Sequence, residues 1–461
     1  MVMDTWRSNA ATQVKDEKFW IGVLAAIYLA ILPMAGTIAL RNVAVFALIV
    51  LLSWHFYRKK PTFNGVSIRW ALPILAWAAY LCIFPLFTEL HAEAWRNLWT
   101  VWFRSLMALA VGAGVALIFS EDRQRGTVLQ LGLITTFPIL IHLGLVGWRI
   151  VETSAIPWNY WGRETHHADL GYAAGHAVVL LSVALLTGGM KRSAGIVALI
   201  GVSIFSVIVA HSRGGVAFSF VGLILVLGAY FLMSGGGRRI LLLLGVLGVI
   251  VLAVVVLGFA AKSDARWLRM TDRLSSGFSG DALQIECEGT ERVEAELIEK
   301  YGPGERMRDL ISSIQNGDGA RTVLLRAGVT LAIEHPWGLD GSRQAFQKRL
   351  KEYCPDPVIQ MAHTHNGWLD TALALGWLGA ALYAWVLINF LRLGLAGLRK
   401  GGAVNDWALV LVALSLFWIL RGFADSVYRD HQLEMQGFVL AYAAVSLKLG
   451  KRTRESSDAQ A

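Results

Sequence analysis

Apolar residues in this 461-residue chain come in long unbroken runs. They do not alternate as in a half-buried strand, nor form the narrow stripe of a surface helix. Twelve runs stand out: 18–36, 39–57, 69–89, 98–119, 127–148, 171–187, 193–211, 214–233, 238–260, 366–391, 405–421 and 434–449. Each is about 20 residues, enough for a helix to cross a hydrocarbon core of about 30 Å. Open sheet edges cannot sit in lipid, so strands are excluded as spans. The pattern predicts an all-α, polytopic integral membrane protein with about twelve transmembrane helices.

One polar stretch interrupts it. Residues 1–260 hold predicted spans one to nine, 261–365 a loop subdomain, 366–449 spans ten to twelve, and 450–461 a tail inside the cell. The last ten residues, 452–461, read as disordered. The loop reads as mainly helical, over 264–273, 291–300, 321–334 and 344–352, with a turn at Tyr301-Gly-Pro-Gly304.

Composition supports the pattern. The chain is 55% hydrophobic and 16% charged, against about 25% charged in soluble domains. Its net charge of +9 would suggest nucleic acid in a soluble protein. Here the positive-inside rule accounts for it. The bases fall in alternate short loops: Arg58-Lys-Lys60, Arg123 and Arg125, Lys191-Arg192, Arg238-Arg239 and Arg399-Lys400. Both termini are then inside, and the loops near 90–97, 149–170, 211–215, 261–365 and 422–433 face outward. The first run, behind Lys15–Lys18, reads as a retained span. Of three cysteines, Cys82 falls inside a span and reads as packed core. Cys287 and Cys354 share the outward loop and are a disulfide candidate.

The candidate chemistry collects at the outward edge. Met361-Ala-His-Thr-His-Asn-Gly-Trp-Leu-Asp370 puts two histidines, an Asn and an Asp at the mouth of an apolar helix. Titratable groups at a bilayer edge are costly, and so are functional candidates. His365 is suited to taking a proton at neutral pH; a histidine capping a helix end is the competing reading. His363, two residues away, would point elsewhere on a helix.

His211-Ser-Arg-Gly-Gly215 is a tight turn before a helix. Ser212 and Gly214 would let a phosphate approach the helix N-terminus, and Arg213 offers a fork of donors. Arg321 and Arg326 precede the loop Pro336-Trp-Gly-Leu-Asp-Gly341. Arg163 and His167, in the loop before the sixth span, and Arg421, Asp425, Tyr428, Arg429, Asp430 and His431, before the last, are outward polar groups fit to line a sugar or phosphate site. Arg266, Arg269 and Arg273 share a face suited to lipid headgroups. Walker A, HExxH, DxD and GxSxG motifs are absent from the sequence. No metal, cofactor, nucleotide or nucleic acid is therefore expected, and the energy for outward chemistry would come from an activated substrate.

Taken in order, these segments resemble the O-antigen ligase and polymerase superfamily of Gram-negative inner membranes. Ser212-Arg213-Gly214 resembles its Ser-Arg-Gly turn. Arg321 with Pro336–Gly341 resembles its Arg, then Pro, then Gly-containing loop. His365-Asn366-Gly-Trp-Leu369 resembles its His-Asn-x-x-Leu entry into a span. The likeness covers roughly 195–395, and Leu325 stands where the family often has an aromatic.

The resemblance implies a metal-independent, inverting glycosyltransferase of the GT-C type, in the inner membrane with its site facing the periplasm. The donor would be a glycan on undecaprenyl diphosphate and the acceptor a lipid A–core hydroxyl. His365 would be the general base. Arg213 and Arg321 would hold the diphosphate, with Arg326, His363, Asn366, Ser212, Gly214, Arg163 and His167 binding substrate, and Arg266, Arg269 and Arg273 meeting lipid A–core phosphates. An O-antigen polymerase or a protein O-oligosaccharyltransferase would share this chemistry. A transporter of lipid-linked glycan is the alternative of another class, but transporters place polar groups and broken helices at mid-membrane.

Overall fold

A computed structural model of the chain describes residues 17–59, 70–119, 127–161, 167–188, 193–234, 237–263, 270–358, 361–398, 405–426, 428 and 430–458. Among these residues there are helices and no strands. The predicted spans coincide with α1 (Glu17–Ile31), α2 (Ile38–Lys59), α3 (Leu72–Ile83), α5 (Arg104–Phe119), α6 (Val128–Thr153), α7 (His167–Thr187), α8 (Ser193–Val209), α9 (Arg213–Met233), α10 (Gly237–Ser263), α17 (Gly367–Leu398), α18 (Asp406–Gly422) and α19 (Asp430–Asp458). A short α4 (His91–Leu98) joins α5 through a π-helical turn at Trp99–Phe103.

Among the described residues, six helical stretches are long and apolar enough to cross a membrane: Ile38–Lys59, His91–Phe119, Val128–Thr153, Ala168–Thr187, Arg213–Met233 and Gly367–Leu398. Shorter apolar helices cover Leu72–Leu86, Ser193–Val209 and Leu242–Val256. The outer faces of α2 and α10 expose Val43, Val50, Trp54, Leu244, Val251 and Val254. A continuous apolar surface of that kind suits lipid.

α7 stands at the centre, with 83% of its apolar window buried against α6, α8, α9 and α18. Close backbone approach depends on small residues, as expected where lipid supplies no hydrophobic contrast. A Cβ on Gly112 of α5 would sit 2.2 Å from the Phe438 carbonyl of α19, and one on Gly171 of α7 would sit 2.9 Å from Cα of Gly215 on α9. Within this layer Arg104 lies 3.8 Å from the buried Glu434, which also accepts from the Tyr28 hydroxyl at 2.6 Å.

The polar stretch folds into α11 (Met270–Ser276), α12 (Ala282–Glu288), α13 (Glu291–Tyr301), α14 (Glu305–Asn316), α15 (Asp318–Glu334) and α16 (Ala345–Tyr353). α15 is the hub, packing on α11, α12, α14, α16 and α17. Cys287, ending α12, and Cys354, just after α16, are joined in a disulfide.

Four expectations are corrected. Cys82 is exposed on α3, not packed in the core. The helix expected from 98 begins at His91, because the π turn carries the backbone through. The tail, expected to be disordered from 452, is helical through Asp458 as a continuation of α19. The run after His365 is not one regular helix: Gly376 has φ 76° and ψ 168° and breaks α17.

That break explains the Pro336–Gly341 loop. A broken helix is tolerated in an apolar layer only if its freed backbone groups find partners in the protein. The Trp377 amide donates to the Pro336 carbonyl at 3.0 Å, and the Gly341 amide to the Ala374 carbonyl at 2.9 Å. Tyr80 donates to the Leu375 carbonyl at 2.5 Å. Gly338 (φ 79°) must be glycine, since a Cβ there would lie 2.3 Å from the Gly376 amide nitrogen.

Candidate active site

A cavity of about 520 Å³ opens between the start of α9, the face of α15, the 361–366 turn and the segment after α18. Its wall includes His211, Ser212, Arg213, Gly214, Asp318, Arg321, His363, His365, Asn366, Arg421, Asp425 and Ser426. Two sequence candidates hold unusual backbone here. His211 (φ 51°) and His365 (φ 58°) are non-glycine residues in the left-handed region, a conformation that persists only where surroundings enforce it.

The surroundings of His365 are visible. Asn366 caps α17: its Oδ1 accepts from the Leu369 amide at 3.0 Å, and its Nδ2 donates to the Phe423 carbonyl at 3.2 Å. The Gly367 amide donates to the Asp425 carbonyl at 3.0 Å. The Asp370 carboxylate reaches back to accept from the Thr364 amide at 2.8 Å. Thr364 fits against α15 because residue 328 is glycine; a Cβ there would meet Thr364 Cγ2 at 2.5 Å. Asn366, expected to contact substrate, therefore serves as cap and tether.

His363 corrects the helical reasoning applied to it. Residues 361–366 precede α17 and are not helical, so positions two apart share a side. The two imidazoles meet edge to face, 4.4 Å between centroids.

The arginines divide. Arg321 is exposed on α15 and lines the cavity. Arg326 points away: it donates to the carbonyls of Gly277 at 2.9 Å and Gly280 at 2.6 Å and holds the α11–α12 connection. Arg213, at the first position of α9, makes a two-pronged pair with Asp318 of α15, at 2.9 and 2.8 Å. Ser212 is the α9 N-cap, accepting from the Gly215 amide at 3.3 Å.

Arg421 carries more weight than its sequence context suggested. It is 1% exposed, donates to the Gly171 carbonyl at 3.1 Å and stacks 3.5 Å from the Tyr172 ring centroid. Asp425 is the anion these cations share. Burial alone would raise its carboxyl, but Arg421, His365 and Arg321 outweigh that and hold it below the usual range. Tyr172 adds a hydrogen bond at 3.1 Å.

Other candidates fall elsewhere. Arg273 pairs with Asp309 of α14 at 2.6 Å, within the polar stretch. Arg163, Arg266 and Arg269 lie outside the described residues, as does the side chain of His167. The start of α7 does meet the start of α19: Asp169 accepts from Gln432 at 2.9 Å and lies 2.8 Å from His431 Nε2, with Gln432 on the cavity wall.

Chemically, the cavity offers a histidine against a cluster of cations balanced by one shared carboxylate. That arrangement can take a proton on one side and stabilise a leaving anion on the other. A comparison with curated proteins returned no match. Residues 196–384, which include Arg213, Arg321 and His365, match the family model described as O-antigen ligase (Wzy_C).

Proposed function

We propose that this protein is an O-antigen ligase of the inner membrane, with about twelve spans and its cavity facing the periplasm. It transfers a glycan from undecaprenyl diphosphate to a sugar hydroxyl of lipid A–core. The carrying observation is the cavity itself, which sets His365 and Arg321, both inside the matched residues 196–384, beside Arg421 and Asp425 from the end of α18.

In this reading His365 accepts the proton of the acceptor hydroxyl. The freed oxygen bonds to the anomeric carbon from the face opposite the leaving group. The anomeric carbon–oxygen bond to the diphosphate breaks, and its electron pair leaves with undecaprenyl diphosphate. One displacement inverts the anomeric centre. Arg321 and Arg421 meet the charge that grows on the leaving diphosphate; groups placed where charge develops are worth most in the transition state. Arg213 contributes through its grip on Asp318, which fixes α9 against α15.

The test is a reconstituted transfer. Purified protein is mixed with undecaprenyl-diphosphate-linked glycan and rough lipopolysaccharide, with chelator and without nucleotide, beside His365→Ala. Glycan on lipid A–core with the parent alone is the expected result. Lengthened carrier-linked glycan instead would make the protein a polymerase. Equal transfer by both would remove His365 from the mechanism, and loss of transfer with chelator would bring in a metal.

A further inference from the structure

His365 is not the only imidazole at the cavity, and the second is wired to a carboxylate. The Ser426 hydroxyl donates to Asp370 Oδ2. The same oxygen lies 3.0 Å from His363 Nδ1. A hydroxyl has one proton. With that proton on Asp370, Ser426 can only accept from His363, so Nδ1 carries the hydrogen and the tautomer of the neutral ring is set. His363 is then pinned from behind, with its ring edge to face with that of His365. The array draws on the first turn of α17 and the segment after α18, parts of the chain that meet only in the folded site.

We propose that His363 is a positioning residue for His365. The Asp370–Ser426–His363 array holds one imidazole against the other, orients the base toward the cavity and stabilises the proton it takes from the acceptor hydroxyl. This rests on the proposed function. The proton comes from the acceptor O–H as the new carbon–oxygen bond forms, resides on His365, and passes to water after undecaprenyl diphosphate departs. A neutral, electron-rich ring beside the new imidazolium lowers the cost of that charge, as does the carboxylate two bonds of the array away.

The other charged groups around the pair are Arg321 on α15, Arg421 and Asp425 at the end of α18, and, across the cavity, Arg213 with Asp318 and the neutral-or-charged His211. Of these, Asp425 accepts from the Ser426 backbone amide at 2.9 Å, a bond that alanine keeps, whereas the Ser426 hydroxyl bonds Asp370 and His363. Ser426→Ala therefore cuts the array and leaves that surrounding field in place.

The experiment compares kcat and KM across pH for parent, Ser426→Ala, Ser426→Thr and His363→Gln. Ser426→Ala and His363→Gln are expected to lower kcat about tenfold, the worth of one charge-assisted hydrogen bond, with KM for the donor unchanged. The rising limb of kcat should move to lower pH, because a base that has lost support for its proton gives it up more readily. Ser426→Thr should restore both. A uniform loss at every pH with the limb unmoved, or no loss, would overturn the proposal.

A second readout needs no substrate. Diethyl pyrocarbonate labels unprotonated imidazole, and mass spectrometry of the 361–370 peptide in His363→Gln isolates His365. Its midpoint should fall to lower pH relative to parent, and Ser426→Ala should lower the midpoint for the peptide as a whole. An unmoved midpoint in both variants sinks the positioning role even if transfer proceeds. A moved midpoint in a protein that transfers nothing keeps the array and discards the proposed function.

Discussion

Arg321 and Arg326 sit five positions apart on α15, and the structure gives them opposite work. The perturbation is alanine at each. Arg321 faces the cavity and is exposed, and Asp425, whose charge it supports, keeps Arg421 and Tyr172, so the fold should melt close to parent. Its cost should appear in the transition state, where removing one donor to developing negative charge costs about 2.7–4 kcal/mol, or about 10²–10³ in kcat. Arg326 is the reverse. Two short bonds to the Gly277 and Gly280 carbonyls are each worth about 1.5–3 kcal/mol as charge-assisted bonds, discounted to roughly 2–4 kcal/mol in total for partial exposure. Arg326→Ala should therefore lower the melting temperature in detergent while folded protein keeps most of its kcat. Both variants would be measured side by side for thermal melting and for glycan transfer to rough lipopolysaccharide. An Arg326→Ala protein that melts normally but is inactive, beside an active Arg321→Ala protein, would refute the assignment.

Two further outcomes follow from single positions. Gly376→Ala puts a Cβ 2.7 Å from the Trp337 carbonyl carbon and 2.8 Å from the Pro336 oxygen at φ 76° and ψ 168°, costing about 1–3 kcal/mol in backbone strain before any clash; a depressed melting temperature with reduced transfer is expected, and a parent-like melt would mean the break does not need glycine. Glu286 is fully buried in α12, and burial pushes its carboxyl from 4.5 up to about 8. An acid that binds its proton more tightly folded than unfolded adds stability that is full below about pH 4.5 and lost as pH rises to about 8; Glu286→Gln should flatten that pH dependence in a thermal melt, and an unchanged slope would show that Glu286 is ionised or solvated.

The helices were legible because length and apolarity are local properties, and each of the twelve apolar runs is a helix. Among the described residues, six helical stretches are long and apolar enough to cross a membrane by themselves. The break at Gly376 was not legible. Ala372-Leu-Ala-Leu-Gly-Trp-Leu-Gly379 reads as one apolar run, and the groups that satisfy the break come from Pro336–Gly341, which read as an ordinary turn. The site divided in the same way. His365, Arg213 and Arg321, picked out by residue type and order, line the cavity. Asp318 was missed because its partner Arg213 is 105 residues away, and Ser426 because Asp370 is 56 residues away. Neither spacing has a periodic signature. His363 was misjudged because helical spacing was applied to a turn.

The broken helix bears on the choice between enzyme and transporter, since interrupted spans are common at transport sites. What fills the break decides the matter. Here the Ala374 and Leu375 carbonyls and the Trp377 amide of α17 are paired with the 336–341 loop and Tyr80. A polar cavity lies beyond the start of α17, and each of its walls is tied to the next. Arg213–Asp318 joins α9 to α15, the Gly328–Thr364 contact joins α15 to the histidine turn, and Asn366–Phe423 joins that turn to the end of α18. A transporter must loosen one such tie in every cycle, whereas catalysis by fixed charge gains from keeping all of them closed. The ties therefore favour chemistry at the cavity over passage through it.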